Sequence, residues 1–130
     1  MPRAKTRTTR SSSLQPRVKV WLETDQTYAF GHGLSEILKA VDKAGSIKAA
    51  ADLLGKSYRH IWSRIKEAEK TLGEPLVTTR VGGTGSRRSE LTERARQLVT
   101  DYDALRRRMF QVAKEEFASR FAGKVRQRKG

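Results

Sequence analysis

Between Ala44 and Leu72, apolar residues recur at helical spacing in two short runs. Ile47, Ala50, Ala51 and Leu54 form the first. Ser46 stands ahead of it, where its side-chain oxygen can accept a free N–H of the first turn. Gly55 follows, a residue that accepts the left-handed conformation of many helix C-termini. Ser57 caps a second run, which reaches Leu72 and is stopped by Gly73 and Pro75. Tyr58, Ile61, Ile65, Ala68 and Leu72 share one face of that helix; Arg59, His60, Ser63, Lys66, Glu67 and Lys70 lie opposite. Two helices joined by a tight glycine turn, the second with a polar and basic outer face, predict a helix-turn-helix with its recognition helix over 57–72.

The pattern on either side completes a domain. Arg17–Thr24 alternates, Val18, Val20 and Leu22 one way and Lys19, Trp21 and Glu23 the other, which predicts a half-buried strand. Asp25–Thr27 turns the chain, and Tyr28–Phe30 returns as a second strand. A helix over Leu34–Ala44 buries Leu34, Ile37, Leu38 and Val41. After the helix-turn-helix, Pro75–Arg80 reads as a strand with Leu76 and Val77 inward. The glycine-rich Val81–Ser89 is a loop and Ser89–Leu91 the partner strand, so residues 80–90 make a wing. Thr92 then caps a long helix to about Arg120.

Along that helix Leu91, Ala95, Leu98, Tyr102, Leu105, Met109 and Val112 alternate steps of four and three, the period of a coiled-coil seam. Phe110, Ala113, Phe117 and Phe121 form a second stripe. The first turns pack on the domain itself. One helix of this length cannot bury both stripes on so small a domain, so a homodimer is expected. Its interface takes in Leu98, Tyr102, Leu105, Met109, Val112 and Phe117, on a dimerisation helix over 92–120. The fold class is mainly α: a winged helix-turn-helix with a short N-terminal β-hairpin, a β-wing and a long C-terminal dimerisation helix, all within 17–121.

Charge adds a partner to this picture. The net charge is +14 over 130 residues, and the six cations of residues 1–20 with the five of 120–130 supply all but three units, without a single acid. Residues 1–16 read as a disordered basic arm and 122–130 as a basic tail. Such arms suit a polyanion, and double-stranded DNA is the default one. Neither tail is an amphipathic helix with large apolar anchors, and no apolar run approaches a membrane span, so no membrane partner is expected. With no cysteine, no signal-peptide core and no span, the chain is expected in the cytoplasm, associated with the nucleoid.

Enzymatic chemistry finds no support. Gly31-His32-Gly33 follows a strand and opens a helix, but Glu36 stands where a dinucleotide fingerprint needs its third glycine. His32 and Glu36 alone make a poor metal site, and no nucleophile–base pair is visible; neither a metal nor a cofactor is expected. The DNA readers expected on the recognition helix are Ser57, Arg59, His60, Ser63 and Arg64, whose donors and acceptors suit base edges. Lys48, Lys56, Arg80, Thr84, Arg87 and Arg88 suit phosphates or, from the wing, a minor groove. Tyr58 and Trp62 read as packing at the core edge. Tail charge alone would fit a sequence-tolerant nucleoid protein, and a bare winged helix a protein-interaction module; the defined readers favour sequence-specific regulation.

The segment GSIKAAADLLGKSYRHIWSRIKEAEKTLGEPLV, then GGTGS and LTERARQLV, resembles the DNA-binding domain of the ModE-type molybdate-responsive regulators. The resemblance covers about residues 17–115, and its most specific piece runs from Gly45-Ser46-Ile47 to Ala50, with Ser57-Tyr58 and Trp62 after it. Leu72-Gly73-x-Pro75-Leu76 is shared with LysR-type regulators. The resemblance implies a winged-helix homodimer with the second helix of the motif in the major groove, and Ser57 and Arg59 at its DNA-facing start. Ser86-Arg87-Arg88-Ser89 departs from the family's more glycine-rich wing. Nothing here resembles the family's molybdate-binding domains, so molybdate binding is not expected from this chain alone.

Overall fold

A computed structural model describes residues 14–82 and 87–122. Two compact units are present, residues 20–107 and a smaller one built from segments 14–19 and 108–122.

The larger unit opens with a hairpin, β1 (Trp21–Thr24) and β2 (Thr27–Gly31). Asp25 and Gln26 between them both have positive φ, 51° and 65°, a two-residue turn whose twist suits a hairpin. The predicted strand from Arg17 is shorter than its alternation suggests. Pairing begins at Trp21 opposite Gly31, because the chain beyond Gly31 turns into a helix and leaves residues 17–20 without a partner strand.

That helix, α1 (His32–Ala44), starts two residues before the predicted Leu34 and buries Leu34, Ile37, Leu38 and Val41 as the periodicity demands. Ser35 is buried as well, and its hydroxyl donates to Asp103 Oδ1 at 2.8 Å while Lys39 Nζ donates to Oδ2 at 2.8 Å. Burial alone would raise the Asp103 carboxyl; the hydrogen bonds from Lys39 and Ser35 outweigh it and hold the group below the usual carboxylate range. Asp103, then Glu36, hold the Lys39 ammonium above its ordinary value. A lowered carboxylate stabilises the fold above its unfolded pKa and stops doing so as pH falls through the folded one; a raised ammonium does so below its unfolded pKa and stops as pH rises through its folded value. Asp103→Asn should therefore cost about 1 kcal/mol at neutral pH, with the gap to the parent chain steady from about pH 5 to 9 and closing below about pH 4. Urea titrations across pH check this.

The helix-turn-helix follows as α2 (Ile47–Leu54) and α3 (Tyr58–Leu72). Both caps form as the sequence predicts: Ser46 Oγ accepts from Ala49 N, and Ser57 Oγ from His60 N, each at 3.0 Å. At Gly55 φ is +67° while a Cβ would meet nothing within 4 Å, so the turn selects glycine for its backbone and not for space. Ile61, Ile65 and Ala68 of α3 enter the core with Phe30, Leu34, Leu38, Val41, Ala50 and Ala51. Tyr58 does not; it is exposed at the first position of α3, beyond the reach of that core.

Strands β3 (Val77–Val81) and β4 (Arg87–Leu91) pair antiparallel from Val77↔Leu91 to Val81↔Arg87. The second wing strand is longer than the predicted Ser89–Leu91: Arg87 and Arg88, expected in the loop, belong to the ladder, while the first begins at Val77 and not at the predicted Pro75. The predicted loop residue Thr84 lies outside the described residues. Ser89 N donates to Gly45 O at 2.8 Å, which ties β4 to the turn ahead of α2. Thr92 Oγ1 accepts from Ala95 N and opens α4 (Glu93–Phe117), which ends three residues before the predicted Arg120 and passes into a π-helical turn over Ala118–Ala122. Leu91, Ala95, Val99 and Tyr102 close the core from this side. The Tyr102 hydroxyl donates to Val20 O at 2.7 Å, and its ring centroid lies 5.3 Å from that of Phe30.

In the smaller unit, residues 15–18 and the helix residues Phe110, Ala113 and Lys114 line a cavity of about 350 Å³. Phe117 and Phe121 stack at 5.1 Å with their planes 12° apart, and Leu14 and Pro16 border them. The second apolar stripe therefore has a segment of its own chain beside it, where the sequence predicts only a partner chain. The rest of the basic arm and tail, 1–13 and 123–130, lies outside the described residues.

Candidate nucleic-acid interface

Helix α3 is held from behind by Ile61, Ile65 and Ala68, and this leaves its opposite side in solvent. Arg59, His60 and Ser63 are exposed there, beside the cap residue Ser57. Among the described residues, no side chain bonds to those of Arg59, His60 or Ser63. A helix with three unengaged donor or acceptor groups on one rigid face can offer them to base edges. Arg64 is set apart from them. It is half-buried, its guanidinium sits 3.6 Å from where a Cβ on Gly33 would be, and it lines a cleft with Tyr28, Leu34, Glu67 and Thr71.

The cations expected on phosphates are spread over three elements. Lys48 is exposed in the first turn of α2, and Lys56 in the turn before α3. Arg80 is paired with Glu90 across the hairpin. Arg88 reaches back, its guanidinium 3.8 Å from the Cβ position of Gly45. Arg87, opposite Val81, is on the other face of β4 and borders a cleft of about 480 Å³ between α3 and the wing.

Tyr58 and Trp62 form the α3 wall of that cleft, 46% and 43% exposed. The sequence reading packs them at the core edge, and the structure corrects it. A signal was present: at 100° per residue, Trp62 lies about 90° from the centre of the Ile61–Ile65–Ala68 stripe, on a flank and not on the face. Lys66 Nζ stands 5.8 Å from the Trp62 ring centroid and 3.3 Å from Glu69. Lys66 is ion-paired with Glu69 through Oε1, while Oε2 of Glu69 accepts from Leu76 N and Val77 N. Among the described residues no carboxylate lines the cleft, whereas Lys48, Lys66 and Arg87 all do.

Residues 34–96 match the family described as bacterial regulatory helix-turn-helix protein, lysR family. Over that stretch the chain is similar to a LysR-type helix-turn-helix domain. The LysR-type match runs from α1 through α2, α3 and the wing strands into the first turn of α4, so it contains the whole candidate interface. The chain is also similar to the molybdenum transport protein ModE of Azotobacter vinelandii, 33% identical over 84 residues, which are 65% of this chain and 31% of the relative. The transcriptional regulator ModE of Yersinia pestis is 35% identical over 69 residues, 53% of this chain and 26% of the relative. The molybdenum-pterin-binding protein MopB of Rhodobacter capsulatus is 33% identical over 69 residues, again 53% and 26%. The chain thus spans between about a quarter and a third of the length of these relatives. The crystal structure of ArgP from Mycobacterium tuberculosis aligns with a TM-score of 0.48 and 22% identity over 65% of this chain and 30% of that one. The matched family is described as one of bacterial regulatory proteins, and the Yersinia pestis relative is named a transcriptional regulator. Among the described residues no helix is long and apolar enough to cross a membrane.

Proposed function

We propose that this protein is a sequence-specific transcription regulator that binds double-stranded DNA as a homodimer. In this reading the helix over 57–72 lies in the major groove, and the wing over 80–90 rests on the backbone or in the minor groove. The observation that carries it is the outer face of α3, where Arg59, His60 and Ser63 are exposed and unengaged on a helix fixed from behind by buried residues. Ser57 and Arg59 stand at the DNA-facing start of that helix, with His60 and Ser63 one turn along. Arg64 contributes less, being half-buried on the flank towards Gly33. Lys48, Lys56, Arg80, Thr84, Arg87 and Arg88 hold phosphates. The arms over 1–16 and 122–130 add sequence-independent attraction to a domain over 17–121. The protein works in the cytoplasm, on the nucleoid.

Sequencing the duplexes that the purified protein selects from a random pool tests the central claim. A defined motif is expected, and enrichment no better than random would defeat it. Within the selected site, Arg59→Ala should cost on the order of 1–3 kcal/mol while changing the affinity for random duplex far less. Titrations against both duplexes at one salt concentration separate the two; equal losses would remove Arg59 from base reading.

A further inference from the structure

The cleft between α3 and the wing is not needed by Arg59, His60 or Ser63, which face elsewhere. We propose that it holds one strand of the duplex by its sugar–phosphate backbone, with the Trp62 indole packed on a deoxyribose and Lys48, Lys66 and Arg87 around the flanking phosphates. This rests on the DNA-binding reading above and adds a binding site to it.

Three features meet there. First, two large aromatic side chains, Tyr58 and Trp62, keep close to half their surface in water although the core of the same helix is a turn away. Exposed aromatic area of that kind becomes favourable only when something covers it. Second, the three cations come from three different elements, α2, α3 and β4, and converge on the cleft without an intervening carboxylate among its described lining residues. Third, Lys66 Nζ stands over the Trp62 ring, 5.8 Å from its centroid, so a cation and an aromatic ring are offered together. The backbone of a nucleic acid has the matching alternation, an apolar sugar face between anionic phosphates. An acidic peptide would satisfy the cations and leave the indole without a use. A base would stack on the indole, but in a duplex the bases are already stacked on one another. Position agrees as well. Trp62 precedes Ser63 by one residue and so points about 100° away from it around the helix. When Ser63 faces base edges, Trp62 faces the strand that borders the groove.

Two tryptophans are present, and Trp21 lies outside the cleft on β1, bonded through Nε1 to Glu23 at 2.8 Å. The Trp21→Phe chain therefore reports on Trp62 alone. Saturating it with a random-sequence duplex, with binding followed by the anisotropy of a label on the DNA, should lower acrylamide quenching of Trp62 several-fold. Trp62→Ala should raise Kd about tenfold on random and selected duplexes alike, because the contact is with the backbone. Duplex bound with Trp62 quenched as freely as before would overturn the inference and leave the DNA-binding reading intact. A loss from Trp62→Ala confined to the selected sequence would also overturn it, by making Trp62 a base reader. Equal protection of Trp62 by a polyglutamate peptide would reassign the cleft to acidic protein. Absence of any duplex binding would defeat the DNA-binding reading first and this one with it.

Discussion

Leu105→Asp is expected to split the proposed homodimer and lower affinity for the selected DNA site by a factor on the order of 10²–10⁴, while the winged domain stays folded. Leu105 is 39% exposed on α4. Met109 and Val112 continue the same stripe, half-buried. Soluble monomers seldom leave such a stripe open, and pairing two of them would cover it. A carboxylate placed in that seam would be buried without a partner, at several kcal/mol. The core residues of the larger unit all lie between Val20 and Tyr102, so the substitution replaces none of them. One copy then offers half the contacts, and the two recognition helices no longer sit about 34 Å or a multiple apart on one side of a duplex. Light scattering reports the mass, circular dichroism the fold and a duplex titration the affinity. The parent chain should be a dimer at micromolar concentration, on a site that is an inverted repeat. A monomeric parent chain that binds its site tightly as one copy would end the idea.

The second large effect is on stability. Phe30→Ala should destabilise the larger unit by about 3–5 kcal/mol, a large part of the 5–15 kcal/mol typical of a domain. Phe30 is fully buried on β2 and packs against the ring of Tyr102, so its removal leaves a cavity between the hairpin and α4. Tyr102→Phe keeps that ring and removes only the hydroxyl that bonds Val20 O, at about 1 kcal/mol. Urea midpoints should rank the two in that order with little change in slope. Equal losses would mean that the hydroxyl, not the ring packing, joins the hairpin to α4.

The same tyrosine marks a boundary between what periodicity can and cannot say. Leu98, Tyr102, Leu105, Met109 and Val112 belong to one regular series in the sequence. In the fold Tyr102 is 1% exposed and Leu105 39%. Tyr102 has almost no surface left to offer a second chain, whereas Leu105 keeps its own. Spacing alone treats the two alike, because what separates them is how far along α4 the chain's own hairpin and α1 extend.

Where a signal is local, the sequence sufficed. Ser46, Gly55, Ser57 and Gly73 determined the ends of α2 and α3, since a cap or a left-handed residue acts on backbone groups within a turn of itself. The apolar stripes of α1 and α3 determined which faces are buried, and with them the solvent side that carries Arg59, His60 and Ser63. Tertiary structure decided what depends on distant pairing. It placed Arg87 and Arg88 on a strand, because the register set by Val77↔Leu91 continues to Val81↔Arg87 whatever the local composition. It turned Arg64 towards Gly33, across 31 residues of sequence. It also left Tyr58 and Trp62 facing the wing: a flank position on a helix is covered or open according to what packs beside it, and here the neighbour is a hairpin that stands off and leaves a cationic cleft.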